Sequence, residues 1–303
     1  MEKISVILVN YNGKKYNDKC IESILNSTVS QEIQVIIIDN ASTDDSLDLL
    51  YEKWGNNDKI TIISLDNNYG FSKANNVGIE WAIKNNFKYF FLLNNDTEIA
   101  EDAIEKMVEA QRKNNAIVVS KIVYADKPDI IWCAGGTFSK LIWKPIQRGL
   151  NQKDIGQYNL SGYCHFANGC SMLLSEEIVQ KLGMLDERFF LYYEDVEYSL
   201  RAKNMGIPIW YCANAIVYHK VNGSSMGNAR PENAYYITRN WLMCNQQYMK
   251  ARFILFKIYF GLNRLAWGGI WLLTGRGKNI FAMIDGIKDY RAAVFGRYSH
   301  NKL

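Results

Sequence analysis

Residues 35–44 read Val35-Ile36-Ile37-Ile38-Asp39-Asn40-Ala41-Ser42-Thr43-Asp44, four β-branched residues running straight into an acid, an amide and a polar turn. A continuous rather than alternating apolar run suits a strand covered on both faces. The same grammar recurs on either side. Ile4–Val9 ends in Asn10-Tyr11-Asn12-Gly13, and Tyr89–Leu93 ends in Asn94-Asn95-Asp96-Thr97. Ile60–Ser64 precedes Asn67-Asn68-Tyr69-Gly70-Phe71-Ser72-Lys73-Ala74-Asn75-Asn76-Val77-Gly78, and Ile117–Val119 is a fifth run. Helical spacing fills the gaps at Asn17–Ser27, Thr43–Lys53, Ser72–Lys84 and Glu101–Lys113, with Thr43 and Ser72 as expected N-caps. This alternation predicts an α/β fold, a doubly wound and mostly parallel sheet with helices on both faces. Such sheets bind ligands beyond the carboxyl ends of their strands.

The rhythm fails between Asp126 and Tyr163, where turn residues dominate and an irregular insertion is expected. A strand at Ser171–Leu174 and a helix at Glu194–Asn204 resume the core, and beyond Pro231 the chain turns helical, aromatic and basic. Two regions are expected: 1–228 for the sheet, and 229–303 for a C-terminal helical extension.

At 303 residues, 48% hydrophobic and 22% charged, the composition excludes a disordered, collagenous or mini-protein chain. The net charge of +4 hides an asymmetry, because Lys250–Leu303 holds ten Lys or Arg against two Asp. The remainder is mildly acidic, which argues against a nucleic-acid binder. Six cysteines in no metal-binding spacing read as reduced, mostly buried thiols, and the short first apolar run is a strand rather than a signal peptide. Phe253–Leu273 is interrupted by Lys257, Asn263 and Arg264, so no membrane span is expected and a cytoplasmic location follows.

Four strand ends delivering amides and acids to one edge favour a site over turn chemistry alone. In this order the segments V-N-Y-N, I-D-N-A-S-T-D, N-N-Y-G-F-S-K-A-N-N-V-G, L-N-N-D and F-F-L-Y-Y-E-D-V-E-Y-S-L-R-A resemble the family 2 glycosyltransferases of the GT-A fold. The likeness is strongest to their rhamnosyltransferase-like members and covers Lys3 to Ser225.

That resemblance implies transfer of a sugar from a nucleotide diphosphate to an acceptor hydroxyl. The leaving diphosphate gathers negative charge and the hydroxyl must lose a proton, which calls for a divalent cation and a carboxylate base. Asp96 is the implied metal ligand, for Mn²⁺ or Mg²⁺; the family usually has Asp-x-Asp here, and this chain reads Asn94-Asn95-Asp96. His219 is a second ligand by resemblance, with a hydrogen-bonded structural histidine as the rival reading, and Gly223-Ser224-Ser225 nearby suggests a phosphate-facing loop. Asp195 is the implied general base, its desolvation helped by Phe189-Phe190-Leu191-Tyr192-Tyr193, whereas Glu194 and Glu197 fit ordinary first-turn acids. A single base with no paired nucleophile implies inversion at the anomeric carbon. Asp39 is expected to accept from N3–H of a uracil or thymine ring, with Asn10 and Tyr11 beside it. Asn68, Gly70, Lys73, Asn75 and Asn95 complete the donor-binding set, Asn75 and Asn76 having loop-holding as their alternative. No P-loop or dinucleotide fingerprint is present.

The implied partners are a dTDP- or UDP-sugar donor and a saccharide or lipid-linked saccharide acceptor in cell-surface polysaccharide or glycolipid assembly. The insertion faces the acceptor side. The basic tail has two readings: a helical hairpin packed on the sheet domain or on a second copy in a homodimer, or a segment lying on the inner face of the cell membrane. A processive synthase needs a Q-x-x-R-W signature, for which the chain offers only Arg239-Asn240-Trp241. Loss of the first motif acid at Asn94 keeps open a nucleotide-sugar-binding scaffold without transferase activity.

Overall fold

The computed structural model describes residues 2–140, 142–220, 230–249 and 252–299. Its first half is β1 (Lys3–Asn10), α1 (Asn17–Leu25), β2 (Glu32–Asp39), α2 (Ser46–Trp54), β3 (Ile60–Ser64), α3 (Gly70–Lys84), β4 (Tyr89–Asn94), β5 (Thr97–Ile99), α4 (Ala103–Asn114) and β6 (Ile117–Tyr124). The expected alternation is therefore present. Ile4, Val6, Leu8, Val35 and Ile37 enter one core, and Ile7, Ile36 and Ile38 enter the core on the opposite face. That is why the runs are apolar without interruption: successive residues point to opposite, equally covered faces.

The second half holds β7 (Lys127–Ala134), β8 (Gly136–Phe138), β9 (Pro145–Gln147), β10 (Gly162–Cys164), β11 (Ser171–Ser175), α5 (Glu176–Leu182), α6 (Glu194–Asn204) and β12 (Ile209–His219). The main sheet runs β10-β12-β6-β11-β4-β1-β2-β3. It is parallel from β3 to β4 and between β6 and β12, while β11 joins the two parts antiparallel. Register sets Asn10 directly beside Asp39 and Val9 beside Asn94, so three polar strand ends share one edge.

Two expectations are corrected. Asp126–Tyr163 is not simply irregular: β7 pairs with β6 and β8 with β9. Three-residue strands are too short to show a period. Residues 150–160 are pinned by the buried Lys121, whose Nζ donates to Asp154 Oδ2 and Asn159 Oδ1, each at 2.7 Å. Nor do Thr43 and Ser72 cap helices. α2 starts after Asp45 and α3 after Tyr69, and Ser72 lies inside α3 with its hydroxyl on the Phe189 carbonyl at 2.7 Å.

The C-terminal block is α7 (Pro231–Met249), α8 (Phe253–Leu273) and α9 (Gly277–Arg291). Phe256, Phe260, Arg264 and Trp271 form the inward stripe of α8 at helical spacing. The block is joined to the sheet domain by apolar packing, with Phe189, Val196 and Leu200 against Met243 and Cys244, and by polar groups. Fully buried Arg239 donates to the carbonyls of Arg188 at 3.3 Å and Gly296 at 3.1 Å. All six cysteines are free, and burial pushes the Cys20 and Cys133 thiols up to about 12. No helix among the described residues is long and apolar enough to cross a membrane.

Candidate active site

Asn10 is the hub of the first strand ends. Its Nδ2 donates to Asp39 Oδ1 at 2.7 Å and Ser46 Oγ at 3.0 Å, and its Oδ1 accepts from Gly13 N–H at 3.1 Å and Asn17 Nδ2 at 2.9 Å. Asn95 Nδ2 donates to Asn17 Oδ1 at 2.8 Å, which extends the chain of amides to the end of β4. A fully buried amide with both ends bonded is a strut, holding three strand ends in fixed relation behind the site. Asp39 is 1% exposed and also accepts from the Ser42 N–H and hydroxyl at 3.0 and 2.6 Å. Tyr11, next along the chain from Asn10, is 40% exposed.

Asp96 and His219 meet. β5 pairs with β12 so that His219 lies opposite Thr97, and the Lys220 N–H donates to the Asp96 carbonyl at 2.8 Å. His219 Nε2 stands 3.2 Å from Asp96 Oδ1 without forming an aligned hydrogen bond, and both Asp96 Oδ1 and His219 Nδ1 are buried and unpartnered. Trp132 packs edge-on against the imidazole at 4.6 Å. Asp96 does not cap a helix, since α4 starts after Asp102. An unpartnered carboxylate oxygen beside an imidazole nitrogen at a strand edge fits a divalent cation that takes oxygen and imidazole ligands. Among the described residues no group of three or more His, Cys, Asp or Glu surrounds such a site, so the remaining ligands would be substrate oxygens and water. The expected loop at Gly223-Ser224-Ser225 lies outside the described residues.

Asp195 opens α6. Its Oδ2 accepts from the Gly169 N–H at 3.1 Å and its Oδ1 from the Val196 N–H at 2.8 Å. Burial raises its pKa to about 6, the backbone donors holding it down. Neighbouring Glu194 is driven well above the carboxylate range, first by burial and then by the Asp195 charge, so Asp195 is the acid that ionises first. Glu197 instead forms an ion pair with Arg201 at 2.7 Å. Asp195 lines an open cavity of about 620 Å³ with Ile146, Phe166, Tyr192, Tyr193 and Ile237. Ile146 comes from the insertion and Ile237 from α7, so three parts of the chain build this one wall.

Residues 168–170 connect the two carboxylates. Gly169 donates to Asp195, and the next carbonyl, of Cys170, accepts from the Asn94 N–H at 3.0 Å, two residues before Asp96. The segments recognised in the sequence are also joined to each other, because the Phe71 N–H donates to the Phe190 carbonyl at 2.7 Å. Gly70 makes this approach at φ +86°, where a Cβ would stand 2.3 Å from that carbonyl oxygen. Asn68 Oδ1 accepts from the Gly70 N–H at 3.0 Å. Buried Asn75 donates to the Phe71 carbonyl at 2.9 Å, and Lys73 pairs with Glu187 at 3.6 Å over the Tyr69 ring. Asn17, Gly169 and Asn240 were not singled out from the sequence. Asn17 is legible only as a polar residue on the buried face of α1, and the other two have no local signal.

With this geometry in view, residues 5–183 match the model of glycosyl transferase family 2. The chain belongs to that family. It is 27% identical over 78% of its length to a low-salt glycan biosynthesis hexosyltransferase, Agl10, of Haloferax volcanii, covering 72% of that protein. It is 23% identical to a dTDP-rhamnosyl transferase, RfbF, of Shigella flexneri, covering 98% of each chain. The fold resembles a GalNAc-T7 structure solved with UDP, GalNAc and Mn²⁺, at a TM-score of 0.64 and 14% identity over 81% of this chain. This chain spans 48% of that longer protein. The family 2 glycosyltransferase has the expected GT-A-like fold, its mostly parallel sheet mixed by antiparallel strands such as β11, and carries the expected helical C-terminal segment.

Proposed function

We propose that this glycosyltransferase inverts the anomeric centre of a dTDP- or UDP-linked sugar, rhamnose-like by its likeness to the Shigella protein, as it transfers the sugar to an acceptor hydroxyl. The observation that carries the reading is the suspension of Asp195 and of the strand end before Asp96 from one three-residue segment, with one acid facing His219 and the other an open cavity.

Asp39 accepts from the pyrimidine N3–H and Tyr11 stacks on the ring, while Asn10 holds Asp39 and Asn95 braces the amide chain behind it, and Asn75 serves the ribose or the donor sugar. Asn68, Gly70 and Lys73 border the ribose and diphosphate. Asp96 and His219 would hold Mn²⁺ or Mg²⁺, which when bound neutralises charge on the diphosphate. The acceptor enters the cavity beneath Ile146 and Ile237. Asp195 removes the hydroxyl proton as the acceptor oxygen bonds to the anomeric carbon and the bond from that carbon to the diphosphate oxygen breaks. A base with pKa near 6 is ionised at neutral pH yet retains useful proton affinity. The reaction serves cell-surface glycan assembly in the cytoplasm.

A thermal-shift series tests the donor class, since a ligand that binds only the folded state raises apparent stability. dTDP or UDP with Mn²⁺ raises the melting temperature and GDP or ADP does not; equal shifts from all four overturn the Asp39 assignment. Asn94, standing where the family usually has an acid, favours one rival, a binding scaffold without turnover. Nucleotide release from labelled donor and acceptor separates the two.

A further inference from the structure

The outward side of α8 is apolar along its whole length. Ile254, Ile258, Leu262, Leu265 and Leu272 recur at helical spacing and are all exposed, Leu262 at 65% and Leu265 at 74%. Phe281 and Ile284 on α9 are exposed as well. A contiguous face of this kind on a soluble fold marks an interaction surface. Its partner can be argued from charge. Between residues 252 and 299 the only acids are Asp285 and Asp289, and both are buried among tyrosines: Tyr298 donates to Asp285 at 3.1 Å and Tyr235 to Asp289 at 2.8 Å. Arg264 is also turned inward, where its guanidinium lies over the Trp241 ring. Arg252, Lys257, Arg276, Lys278, Lys288 and Arg291 remain exposed. Lys288 keeps a 3.6 Å contact with Asp285. This block therefore shows solvent an apolar stripe with basic flanks and no exposed acid.

We propose that α8 lies flat on an anionic phospholipid surface, with its apolar side in the headgroup–acyl boundary and the flanking cations on lipid phosphates. Two copies of the chain placed face to face would bring basic flanks together, whereas an anionic bilayer complements them. A 21-residue helix at 1.5 Å per residue covers about 32 Å of surface, long enough for all five side chains to engage at once. The inward face of α8 packs, through Phe256 and Phe260, into the cluster that includes Tyr193, a wall of the Asp195 cavity. Docking this face would therefore hold the acceptor cavity close to the lipid. The inference does not rest on the transferase reading, because the binding measured needs no donor.

The test is co-sedimentation of the full chain with vesicles of phosphatidylcholine alone or with about a third phosphatidylglycerol, at low and high salt, alongside analytical ultracentrifugation without lipid. Binding is expected only to the anionic vesicles and should weaken with salt, each surface cation contributing roughly fivefold. Leu262→Asp with Leu265→Asp lowers binding at least about tenfold, and Lys257→Glu with Lys278→Glu removes the preference for anionic lipid. Both variants keep the wild-type far-ultraviolet circular dichroism and a cooperative thermal melt without ligand, which shows that they fold. No vesicle binding by the wild type overturns the proposal. So does a lipid-free dimer that the leucine variant dissociates, since the face would then belong to a second copy.

Discussion

Asn240, in the middle of α7, donates its side-chain amide to the Tyr192 carbonyl at 2.7 Å and to the Leu191 carbonyl at 2.9 Å. Tyr192 and Tyr193 both sit at positive φ, 65° and 73°, where residues with a Cβ are strained. They lead straight into α6, so this turn sets where Asp195 points. The helical extension thereby helps to set the orientation of the proposed base.

Replacing Asn240 with Leu removes both donors and leaves two carbonyls unpaired, at a stability cost of about 1–3 kcal/mol. Because the turn aims the base but touches no donor group, kcat is expected to fall about tenfold or more while the affinity for nucleotide diphosphate is unchanged. Steady-state kinetics beside a binding isotherm check this. An equal loss in both would place Asn240 in general folding only.

Asp195→Asn keeps the shape but not the base, and transfer should drop about 10²–10⁴-fold with donor binding retained. In the wild type, kcat/KM rises as pH increases through about 6, following ionisation of Asp195. Stability runs the other way. The folded pKa lies above the unfolded value of 3.8, so the folded state binds more protons in between and stability falls as pH rises from about 4 to 6. Denaturant melts across that range on wild type and Asp195→Asn check the sign: the variant should lose part of the slope.

The β-α alternation was legible because each of β1, β2 and β4 is buried on two faces, which leaves an unbroken apolar run. Asp96 and Asp195 could be singled out as candidates because each sits at an element end within a recognisable motif, and His219 because it ends the apolar run of β12. Gly169 and Asn240 were not. Gly169 matters through one backbone N–H, which any residue carries, and Asn240 through contacts 48 and 49 residues away that leave no periodicity in α7. The caps failed for a related reason: Ser72 spends its hydroxyl on the Phe189 carbonyl, 117 residues away, a demand that local preference does not reveal.

The proposed Asp96–His219 pair predicts a metal affinity weaker than that of a preformed cage, because among the described residues these two candidate ligands have no third acid, His or Cys beside them. Mn²⁺ should bind weakly alone and more tightly with UDP or dTDP. His219→Ala and Asp96→Asn should each raise the apparent Mn²⁺ dissociation constant in the presence of nucleotide about 10–100-fold. Mn²⁺ electron paramagnetic resonance titrations measure this without turnover. Unchanged binding in both variants would return His219 to the structural reading.

Gly70 is where the loop before α3 and the aromatic segment before Asp195 come into contact. Its φ of +86° suits glycine, and an added Cβ would meet the Phe190 carbonyl oxygen at 2.3 Å and the Phe190 ring at 2.7 Å. Neither neighbour yields easily, because that carbonyl accepts the Phe71 N–H at 2.7 Å and the ring is stacked on Tyr236 of α7. Gly70→Ala therefore costs backbone strain of about 1–3 kcal/mol, plus the loss or lengthening of the Phe71–Phe190 hydrogen bond. Gly275→Ala is the control, since it also sits at positive φ, 69°, but its Cβ would meet nothing within 4 Å. If steric approach rather than φ alone matters at Gly70, its variant should lose more stability than the control and should also lose nucleotide affinity, while the control keeps that affinity. Urea denaturation with a UDP or dTDP isotherm on both variants decides it, and equal losses would mean that the contact with Phe190 contributes little.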